Sequence, residues 1–419
     1  MQITTNTKNV FALSGFESTF TLRKNKQAPY PFNDKNVSYH YNARAALWQG
    51  LHALNLKPGD GVLVPNYSCG SEIDVLIKYG LELHWYAIDE CLMIDFDALD
   101  TRFSGEIKQN NIKALFIINY FGFSQNMKLL RPWLDQHELY LIEDNAHGLY
   151  SFDPVTEGAL GSFGDISIFS IYKSITLADG GALVINRGDP GKLLNQMQPP
   201  LSIHLKSTRE LMRRMLMRAF PKTVRFVDNS ILGGLAGLLK RKPESPSPEP
   251  KEKNSEGFEI EQRQNVDTLG YTEFDSASGC WKMSWYSKLL LKFANHELIA
   301  ERRRHNYIRL AEKINLDPKI KLIHESLADV CVPLFFPLLQ LEGGRALREA
   351  LLRNGVHCHG FGFSHKAIPS EGFDLENEYK YSLFFIPVNQ SLTDDDIDYV
   401  ASIINTWTET YGTNGKEAA

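Results

Sequence analysis

Helical and extended patterns alternate along the chain from about residue 42 onward. The segment ARAALWQGLHAL carries its apolar residues at helical spacing, and Pro58 and Gly59 follow its end. Short buried strands are predicted at GVLVP, LELHWYA, ALFIINYF, YLIED, DISIFS and GALVIN, and further helices at SEIDVLIKY and MKLLRPWLDQH. Because strands alternate with helices, the pattern predicts an α/β fold with a mostly parallel sheet flanked by helices.

The carboxyl ends of the predicted strands are where polar side chains matter most. In open α/β sheets, ligands bind outside those ends. Asp144 follows the strand YLIE, and Ser170 and Lys173 follow the strand DISIF. These three residues are therefore the first candidates for a functional site.

The alternation stops after about residue 195. Residues 206–226 carry seven Lys or Arg against one Glu and an apolar stripe at helical spacing, which predicts a basic amphipathic helix. A solvated positive face is the ordinary interpretation of such a helix. The sharper hypothesis is contact with an anionic membrane surface, a lipid-linked pyrophosphate or a nucleotide diphosphate. The apolar run ILGGLAGLL and the segment KRKPESPSPEPKEKNSEG follow, and the composition of the latter predicts a disordered loop.

Regular patterns resume in the last third of the chain. A long helical pattern covers CWKMSWYSKLLLKFANHELIAERRRHNYIRLAEKI, and VCVPLFFPLL, GRALREALLRNG, YSLFFIPV and TDDDIDYVASIINTW complete a small α+β domain. Thr393 is expected to cap the last helix, whose first turn is acidic. We therefore expect a large domain over residues 1–195, an insertion over 196–262, and a connecting helix with a small C-terminal domain over 263–419.

Composition and charge exclude several classes of protein. The 419 residues carry a net charge of −5, which gives no global reason to expect nucleic-acid binding. The five cysteines are odd in number and form no C-x-x-C pair, so neither a disulfide framework nor a zinc ribbon is predicted. The N-terminus lacks a signal-peptide pattern, and no apolar stretch approaches the ~20 residues that span a bilayer. We expect a cytoplasmic protein, with peripheral membrane contact through residues 206–226 as an open alternative.

The residues at the strand ends suggest a particular chemistry. A lysine amine forms Schiff bases with carbonyl compounds, and pyridoxal phosphate is held in this way. An aspartate beside the pyridine nitrogen keeps that ring protonated, and a helix N-terminus binds phosphate. Lys173, Asp144 and the turn NARA, which opens the first helix, are candidates for these three parts.

The chain resembles the DegT/DnrJ/EryC1/StrS family of pyridoxal-phosphate-dependent aminotransferases, which mostly act on nucleotide-linked sugars. The resemblance covers most of the chain outside residues 196–262. It rests on five segments in the family's order: ARAALWQGLHALNLKPGDGVLVPNYSCGSE, LIEDNAHGLYS, GSFGDISIFSIYKSITLADGG, ERRRHNYIRLAEKI and LFFIPVNQSLTDDDIDYV. It implies the fold type I architecture, with a mostly parallel sheet of the seven-stranded type, and a homodimer whose active sites are shared across the interface.

The resemblance assigns the catalytic roles to three residues. Lys173, six residues before Asp179 of the ADGG segment, falls where the family places its Schiff-base lysine before Glu-Gly-Gly. Asp144 matches the aspartate beneath the pyridine nitrogen. His147 occupies a position held by Gln or His, near the phenolic oxygen of the ring.

The resemblance also implies a phosphate site and one departure in the wall of the ring site. Ser170 resembles the family's phosphate-binding serine, and Ala43 and Arg44 occupy the phosphate-binding turn, where the arginine brings charge and a fork of donors. Cys69 stands where many members place an aromatic residue that stacks on the ring. Contact with the ring is then expected from the Cys69 thiol or from Tyr67.

A second departure lies in the lysine segment itself. Ser170 and Lys173 are three positions apart, whereas the family usually places them five apart, so the connecting loop is two residues shorter. Either the serine or the lysine is therefore expected to sit differently than in the commoner members.

Most of these candidates have a structural alternative. Lys173 could be a solvated charge in a loop. Asp144 could cap a helix, His147 could be a packed histidine, and Ser170 could be a loop hydroxyl. Arg44 could form a salt bridge, and Cys69 could be a small buried apolar residue.

A histidine-rich segment, HCHGFGFSH, contains His357, Cys358, His359 and His365. No second cluster with ligand spacing accompanies it, so no metal site is predicted. The family carries a histidine-bearing segment near this position that approaches the partner subunit's active site, which leaves a substrate contact as an alternative.

The function implied by the resemblance is transfer of an amino group, from glutamate by analogy, to a keto sugar on a nucleotide or lipid carrier. Such reactions serve amino-sugar, polysaccharide or natural-product biosynthesis. Two alternatives stay open: a cofactor-dependent sugar dehydratase, against which the presence of Lys173 argues, and a degenerate member that binds the cofactor or a sugar nucleotide for regulation.

Overall fold

The computed structural model describes residues 10, 19–21, 28–219, 274–360 and 365–414, and for residues 213–219 and 412–414 it gives the backbone course alone. The first half contains β1 (Val37–His40), α1 (Ala43–Ala53), β2 (Gly61–Pro65), α2 (Ser71–Tyr79), β3 (Glu82–Tyr86), α3 (Phe96–Phe103), β4 (Ile112–Ile118), α4 (Met127–Gln136), β5 (Tyr140–Asp144), β6 (Ile166–Ser170), α5 (Ile171–Ser174), β7 (Gly181–Ile185) and α6 (Leu201–Ala219). The second half contains α7 (Trp285–Leu291), α8 (His296–Lys313), β8 (Ile320–Leu322), β9 (Phe335–Gln340), α9 (Ala346–Arg353), α10 (Asp374–Ser382), β10 (Leu383–Pro387) and α11 (Asp394–Asn414). The predicted helix–strand alternation is confirmed in this part of the chain.

The described strands form two sheets. Seven of them make one sheet in the order β1, β7, β6, β5, β4, β2, β3. The strands from β6 to β3 run parallel to their neighbours, whereas β7 pairs antiparallel with both β6 and β1. The remaining three, β8 to β10, form a small antiparallel sheet in the order β10, β9, β8. The α/β class and the mostly parallel sheet are therefore confirmed.

The large sheet separates two apolar cores. Side chains on a strand alternate between faces, and Val62 and Val64 of β2 join a core that includes α1 and α2. Leu63, between them, joins the core on the opposite face with α3 and α4. Burial on both faces explains why β2, GVLVP, is apolar throughout, as expected for a strand of a parallel sheet.

The long helical pattern predicted over residues 280–314 is wrong as a single helix. The structure has a 3₁₀ turn at Ser276–Cys280, then α7, and then α8. Ser284 caps α7 by accepting from the amide of Ser287, and Asn295 caps α8 by accepting from the amide of Leu298. The amide of Asn295 itself bonds to the carbonyl of Thr19, which fixes the break.

The chain divides into two compact units, one of residues 1–199 with 272–419 and one of residues 200–271. The first unit contains both sheets and every candidate site residue. In the second unit, α6 covers residues 201–219, so the helix predicted over 206–226 is confirmed as far as residue 219. The predicted apolar run and disordered loop, and the last seven residues of that helix, lie outside the described residues. No helix in the described segments is long and apolar enough to cross a membrane.

Candidate active site

The candidate lysine lies in a short hairpin between the two strands where the sheet changes from parallel to antiparallel. Lys173 is in the single-turn helix α5, directly after β6, and is half-buried. The amide of Ile171 bonds to the carbonyl of Gly180 at 3.0 Å, and the amide of Gly180 bonds to the carbonyl of Tyr41 at 2.8 Å. The hairpin is thereby tied to the residues that immediately precede α1.

A neutral histidine contacts the lysine. Lys173 Nζ lies 3.1 Å from His147 Nε2. The His147 ring stacks on Phe121 with centroids 5.5 Å apart and an interplanar angle of 14°. Burial, with the nearby Lys173 charge as second cause, holds the pKa of His147 well below its usual value. The imidazole is therefore uncharged beside the lysine.

The tautomer of His147 is coupled to the state of the lysine. The amide of Phe121 points to His147 Nδ1 at 3.4 Å. When Nδ1 accepts this amide, the proton of the neutral ring resides on Nε2, which then donates to Lys173 Nζ as a free amine. In the other tautomer Nε2 accepts from the lysine ammonium. The contact thus serves either charge state of the lysine, and the free amine is the nucleophilic one.

Asp144 ends strand β5 and is buried. Its Oδ1 accepts from the amide of Ala146 at 2.7 Å. Burial raises the pKa of Asp144 to about 7, with the Glu72 carboxylate as the second cause, while the Ala146 amide and Lys173 act in the opposite direction. A carboxylic acid in this state is ready to ionise when a cation comes near it.

Asp144 is held by the residues around the end of β5. The adjacent Glu143 is fully buried and accepts from the amides of Gly161 and Gly164 at 2.6 and 2.9 Å. It also accepts from Asn119 Nδ2 at 2.9 Å. These bonds fix the strand end, so the position of Asp144 is set by the backbone and does not depend on its own side-chain partners.

The N-terminus of α1 lies against β7. The Oδ1 atom of Asn42 caps the helix by accepting from the amide of Ala45 at 2.9 Å. A Cβ atom on Gly181 would lie 2.2 Å from the Asn42 carbonyl carbon and 2.7 Å from the Ala43 nitrogen. Only glycine allows this approach, which explains why position 181 is a glycine.

The residues predicted for the phosphate site meet at this helix end. Ala43 and Arg44 are the first two residues of α1, and Arg44 is partly exposed. Ser170 is buried and stands in register with Gly181 across the β6–β7 pair. The first N–H groups of an α-helix have no partner within the helix, so an anion fits there.

The wall formed by residues 67–72 is polar rather than aromatic. Cys69 Sγ lies 3.1 Å from both Ser71 Oγ and Glu72 Oε2. Burial, with the Glu72 charge as second cause, raises the pKa of the thiol to about 12, so Cys69 is protonated and donates to Glu72. Tyr67, the other residue considered for stacking, is fully buried against Tyr120 and Tyr379, with ring centroids 5.8 and 6.2 Å away. Its ring has no accessible face for a ligand.

The histidine-rich segment divides between the small sheet and the wall formed by residues 67–72. His359 pairs with Phe385 of β10 through two backbone bonds. His365 Nε2 lies 3.5 Å from Asp74 Oδ1 on α2, and its Cβ would lie 2.8 Å from a Cβ atom on Gly70. Cys358 is buried in the apolar core beside the small sheet, and the structure gives no description of residues 361–364.

The sequence does not single out two residues of the site. Glu72 is an acid in the first turn of α2, which is common because acids complement the helix dipole. Phe121 adopts φ +56°, in the left-handed region, and presents its ring to His147. Neither property follows from the hydrophobic pattern.

Comparisons with known proteins point in one direction. Residues 33–201 match the sequence model of the DegT/DnrJ/EryC1/StrS aminotransferase family. A GDP-perosamine synthase from Vibrio cholerae is 29% identical over 155 residues, which span 36% of this chain and 40% of that protein. The matched segment is thus less than half of the curated relative.

Solved structures with the same fold cover most of the chain. A DegT/DnrJ/EryC1/StrS aminotransferase from Brucella abortus has a TM-score of 0.58 and 17% identity, over 89% of this chain and 86% of that one. A GDP-4-keto-6-deoxy-D-mannose-3-dehydratase from E. coli, with bound hydrated pyridoxal phosphate, has a TM-score of 0.56 and 18% identity, over 88% and 87%. At these identities the likeness establishes the fold.

Proposed function

We propose that the chain is a pyridoxal-phosphate-dependent aminotransferase of the DegT/DnrJ/EryC1/StrS family, whose sequence model matches residues 33–201. Its acceptor is a keto sugar on a nucleotide or lipid carrier, and its amino donor is glutamate. The observation that carries the proposal is the contact between Lys173 Nζ and His147 Nε2 at 3.1 Å, beside the buried Asp144.

The residues present fit the cofactor. Lys173 would hold it covalently, and Asp144 would face its ring nitrogen. The first turn of α1, with Arg44 and Ser170, would hold its phosphate, because the glycine at 181 leaves that turn open to the hairpin. The bound cofactor would supply the electron sink that makes the alpha carbon of an amino acid acidic.

This chain's own residues would handle the proton. Once released from the cofactor, the Lys173 amine would take the proton from the alpha carbon of the donor and pass it to the cofactor carbon in the same half of the reaction. In the second half it would move a proton in the reverse direction, from that carbon to the acceptor. His147 is uncharged, so its Nε2 can hydrogen-bond to the Lys173 amine and orient it. Ionised Asp144 would hold the ring nitrogen protonated.

The presence of a lysine at position 173 favours amino transfer over dehydration. The resemblance places histidine at this position in the sugar dehydratases of the family. The name of the Vibrio cholerae relative, a GDP-perosamine synthase, supports a nucleotide-linked sugar as acceptor. A homodimer and peripheral membrane contact through residues 206–226 are further parts of the proposal, to be tested by sedimentation of the protein alone and with anionic liposomes.

Covalent attachment is the first test. The purified protein is incubated with pyridoxal phosphate, reduced with borohydride and digested, and the peptide containing residue 173 is examined by mass spectrometry. We expect the cofactor on Lys173 in the wild type, no attachment in Lys173→Arg, and normal attachment in Lys192→Arg, which changes an exposed lysine. Absence of any modified peptide from the wild type would refute the proposal.

Amino transfer is the second test. Protein loaded with pyridoxamine phosphate is mixed with a panel of nucleotide-linked keto sugars, and the products are identified by mass spectrometry. An amino sugar supports the proposal, whereas a deoxy sugar formed without a bound amine would identify a dehydratase. Loss of acid–base catalysis in Lys173→Arg is expected to lower turnover by about 10²–10⁴-fold or more.

A further inference from the structure

The wall formed by residues 67–72 carries a buried acid that the proposed mechanism does not use. Glu72 is only 5% exposed. Its Oε2 accepts from Cys69 Sγ and from Ser71 Oγ, each at 3.1 Å. Two donors aimed at one oxygen hold the carboxylate in a single position.

The other carboxylate oxygen of Glu72 has no hydrogen-bond partner among the described residues. This atom, Oε1, is buried. No Lys or Arg in the described part of the chain forms an ion pair with this carboxylate. Buried polar atoms in native proteins are nearly always hydrogen-bonded, so an unpartnered carboxylate oxygen is a candidate for contact with a donor or a cation.

Glu72 belongs to the same electrostatic group as the candidate site. Its carboxylate is the largest charge effect on Asp144 after burial, and it also raises the pKa of Tyr120. Lys173 acts in the opposite sense on both Asp144 and Cys69. Within the described residues, the charges that shift the pKa of Asp144 are therefore Glu72 from α2 and Lys173 from α5, and the uncharged His147 contacts that lysine.

The charges of this group do not balance once the cofactor is attached. In the free protein, the group contains one basic side chain, Lys173, and two carboxyl side chains, Asp144 and Glu72. Covalent attachment uses the lysine nitrogen, and a protonated ring nitrogen then becomes the cation that Asp144 faces. When the cofactor is attached, the Glu72 carboxylate, in the wall formed by residues 67–72, supplies a second negative charge.

We propose that Glu72 is a second anionic residue of the cofactor site, a positioning residue that acts on the ring through Asp144. The inference rests on the proposed function, since it needs a protonated ring nitrogen at Asp144. When no cofactor is bound, Glu72 favours the protonated form of Asp144. When the cofactor is bound, Glu72 and Asp144 together stabilise the positively charged ring.

This arrangement couples cofactor binding to release of a proton. With an Asp144 pKa of about 7 in the free protein, binding below that pH must ionise Asp144. The affinity for pyridoxal phosphate then falls by about tenfold per pH unit on the acid side. Replacement of Glu72 by Gln lowers the pKa of Asp144, so the break in the affinity profile moves to lower pH.

The test is the pH dependence of cofactor affinity in matched variants. Dissociation constants for pyridoxal phosphate are measured by absorbance from about pH 5 to pH 8.5 for the wild type, Glu72→Gln, Glu72→Asp and Glu82→Gln. Glu82 is an exposed acid on β3 and serves as the control. The cofactor's own ionisations affect all four proteins equally. The ratio of a variant's dissociation constant to that of the wild type therefore reports only the contribution of the protein.

The expected ratio has a definite shape. Glu72→Gln binds more weakly than the wild type by about tenfold near pH 8, where Asp144 is ionised in both proteins. The ratio shrinks toward acid pH, Glu72→Asp keeps the wild-type break, and Glu82→Gln follows the wild type throughout. Calorimetry in two buffers of different ionisation enthalpy should show fewer protons released by Glu72→Gln at about pH 6.

Failure of this inference differs from failure of the proposed function. If the wild type does not bind pyridoxal phosphate at any pH, the proposed function is wrong. If wild type and Glu72→Gln bind with superimposable profiles, only the role of Glu72 is wrong.

A second measurement covers the case in which Glu72→Gln does not fold. Infrared spectroscopy of the wild type at about pH 6 should show a protonated carboxyl band that is absent from Asp144→Asn and lost when the cofactor binds. Its absence from the free wild type would overturn the inference.

Discussion

Asp144 gives a prediction about the protein without any cofactor. Its pKa rises from an ordinary value of 3.8 to about 7, chiefly because the carboxyl is buried. The side chain is 6% exposed, so solvent does little to screen the effect. A tenfold change in a proton-binding constant corresponds to about 1.4 kcal/mol, so the rise in the pKa of Asp144 corresponds to about 4 kcal/mol.

The direction of the effect on stability follows from the protons bound in each state. Between about pH 4 and pH 7 the folded protein keeps the proton on Asp144, whereas the unfolded chain has lost it. The free energy of unfolding therefore falls with rising pH in this window, and it levels off above about pH 7. Asp144→Asn has no proton to lose and can still accept from the amide of Ala146.

The expected result is a difference that grows with pH. Relative to its value at about pH 4, the stability of Asp144→Asn over the wild type should increase by about 1.4 kcal/mol per pH unit and reach about 4 kcal/mol at pH 8. Urea unfolding of the cofactor-free proteins, followed by tryptophan fluorescence at several pH values, measures it. Titrating groups that do not interact with Asp144 cancel between the two proteins.

Two stability profiles that stay parallel from about pH 4 to pH 8 would refute this role of Asp144. The same substitution should weaken binding of pyridoxal phosphate at every pH. Asp144→Asn should thus raise the stability of the protein and lower its affinity for the cofactor. Such opposite effects are expected for a buried acid that lowers stability but is needed for function.

Further predictions concern the helix ends. Gly181→Ala would bring a Cβ atom to 2.2 Å from the Asn42 carbonyl carbon, so we expect α1 to be displaced. Cofactor affinity, measured by absorbance titration, should then fall by more than tenfold. The control Gly105→Ala, at a position with open space around it, should bind the cofactor normally. Thr393→Ala should lower the free energy of unfolding by about 1 kcal/mol in urea, because Thr393 Oγ1 accepts from the amide of Asp396 at 3.2 Å, and cofactor binding should not change.

The parts of the fold that can be predicted are those with local signals. The pattern predicts helix α2 with its true ends, since Gly70 and Gly80, both with positive φ, bound it. The sequence also predicts Thr393 as a cap, and the Thr393–Asp396 bond confirms it. Strands β2 and β7 of the large sheet are recognisable because burial on both faces makes them apolar throughout.

The parts that cannot be predicted depend on contacts distant in sequence. The break before α8 is fixed by a bond from Asn295 to Thr19, and the residues on either side of it are good helix formers. The pattern places Lys173 and Asp144 at strand ends, but the contact between Lys173 and His147 requires two loops to meet. The buried state of Glu72 depends on the fold around α2 and is invisible in its position along the chain.

The bond between the Gly180 amide and the Tyr41 carbonyl joins segments that are far apart in the sequence and are therefore synthesised at different times. The N-terminus of α1 and the lysine hairpin are separated by about 130 residues of chain, yet they are neighbours through β7. β1 and α1 emerge first and have no β7 to pair with until the later strands exist. A cofactor that needs both segments would therefore report the closing of this edge of the sheet, and its absorbance could time a late step of folding during refolding from urea.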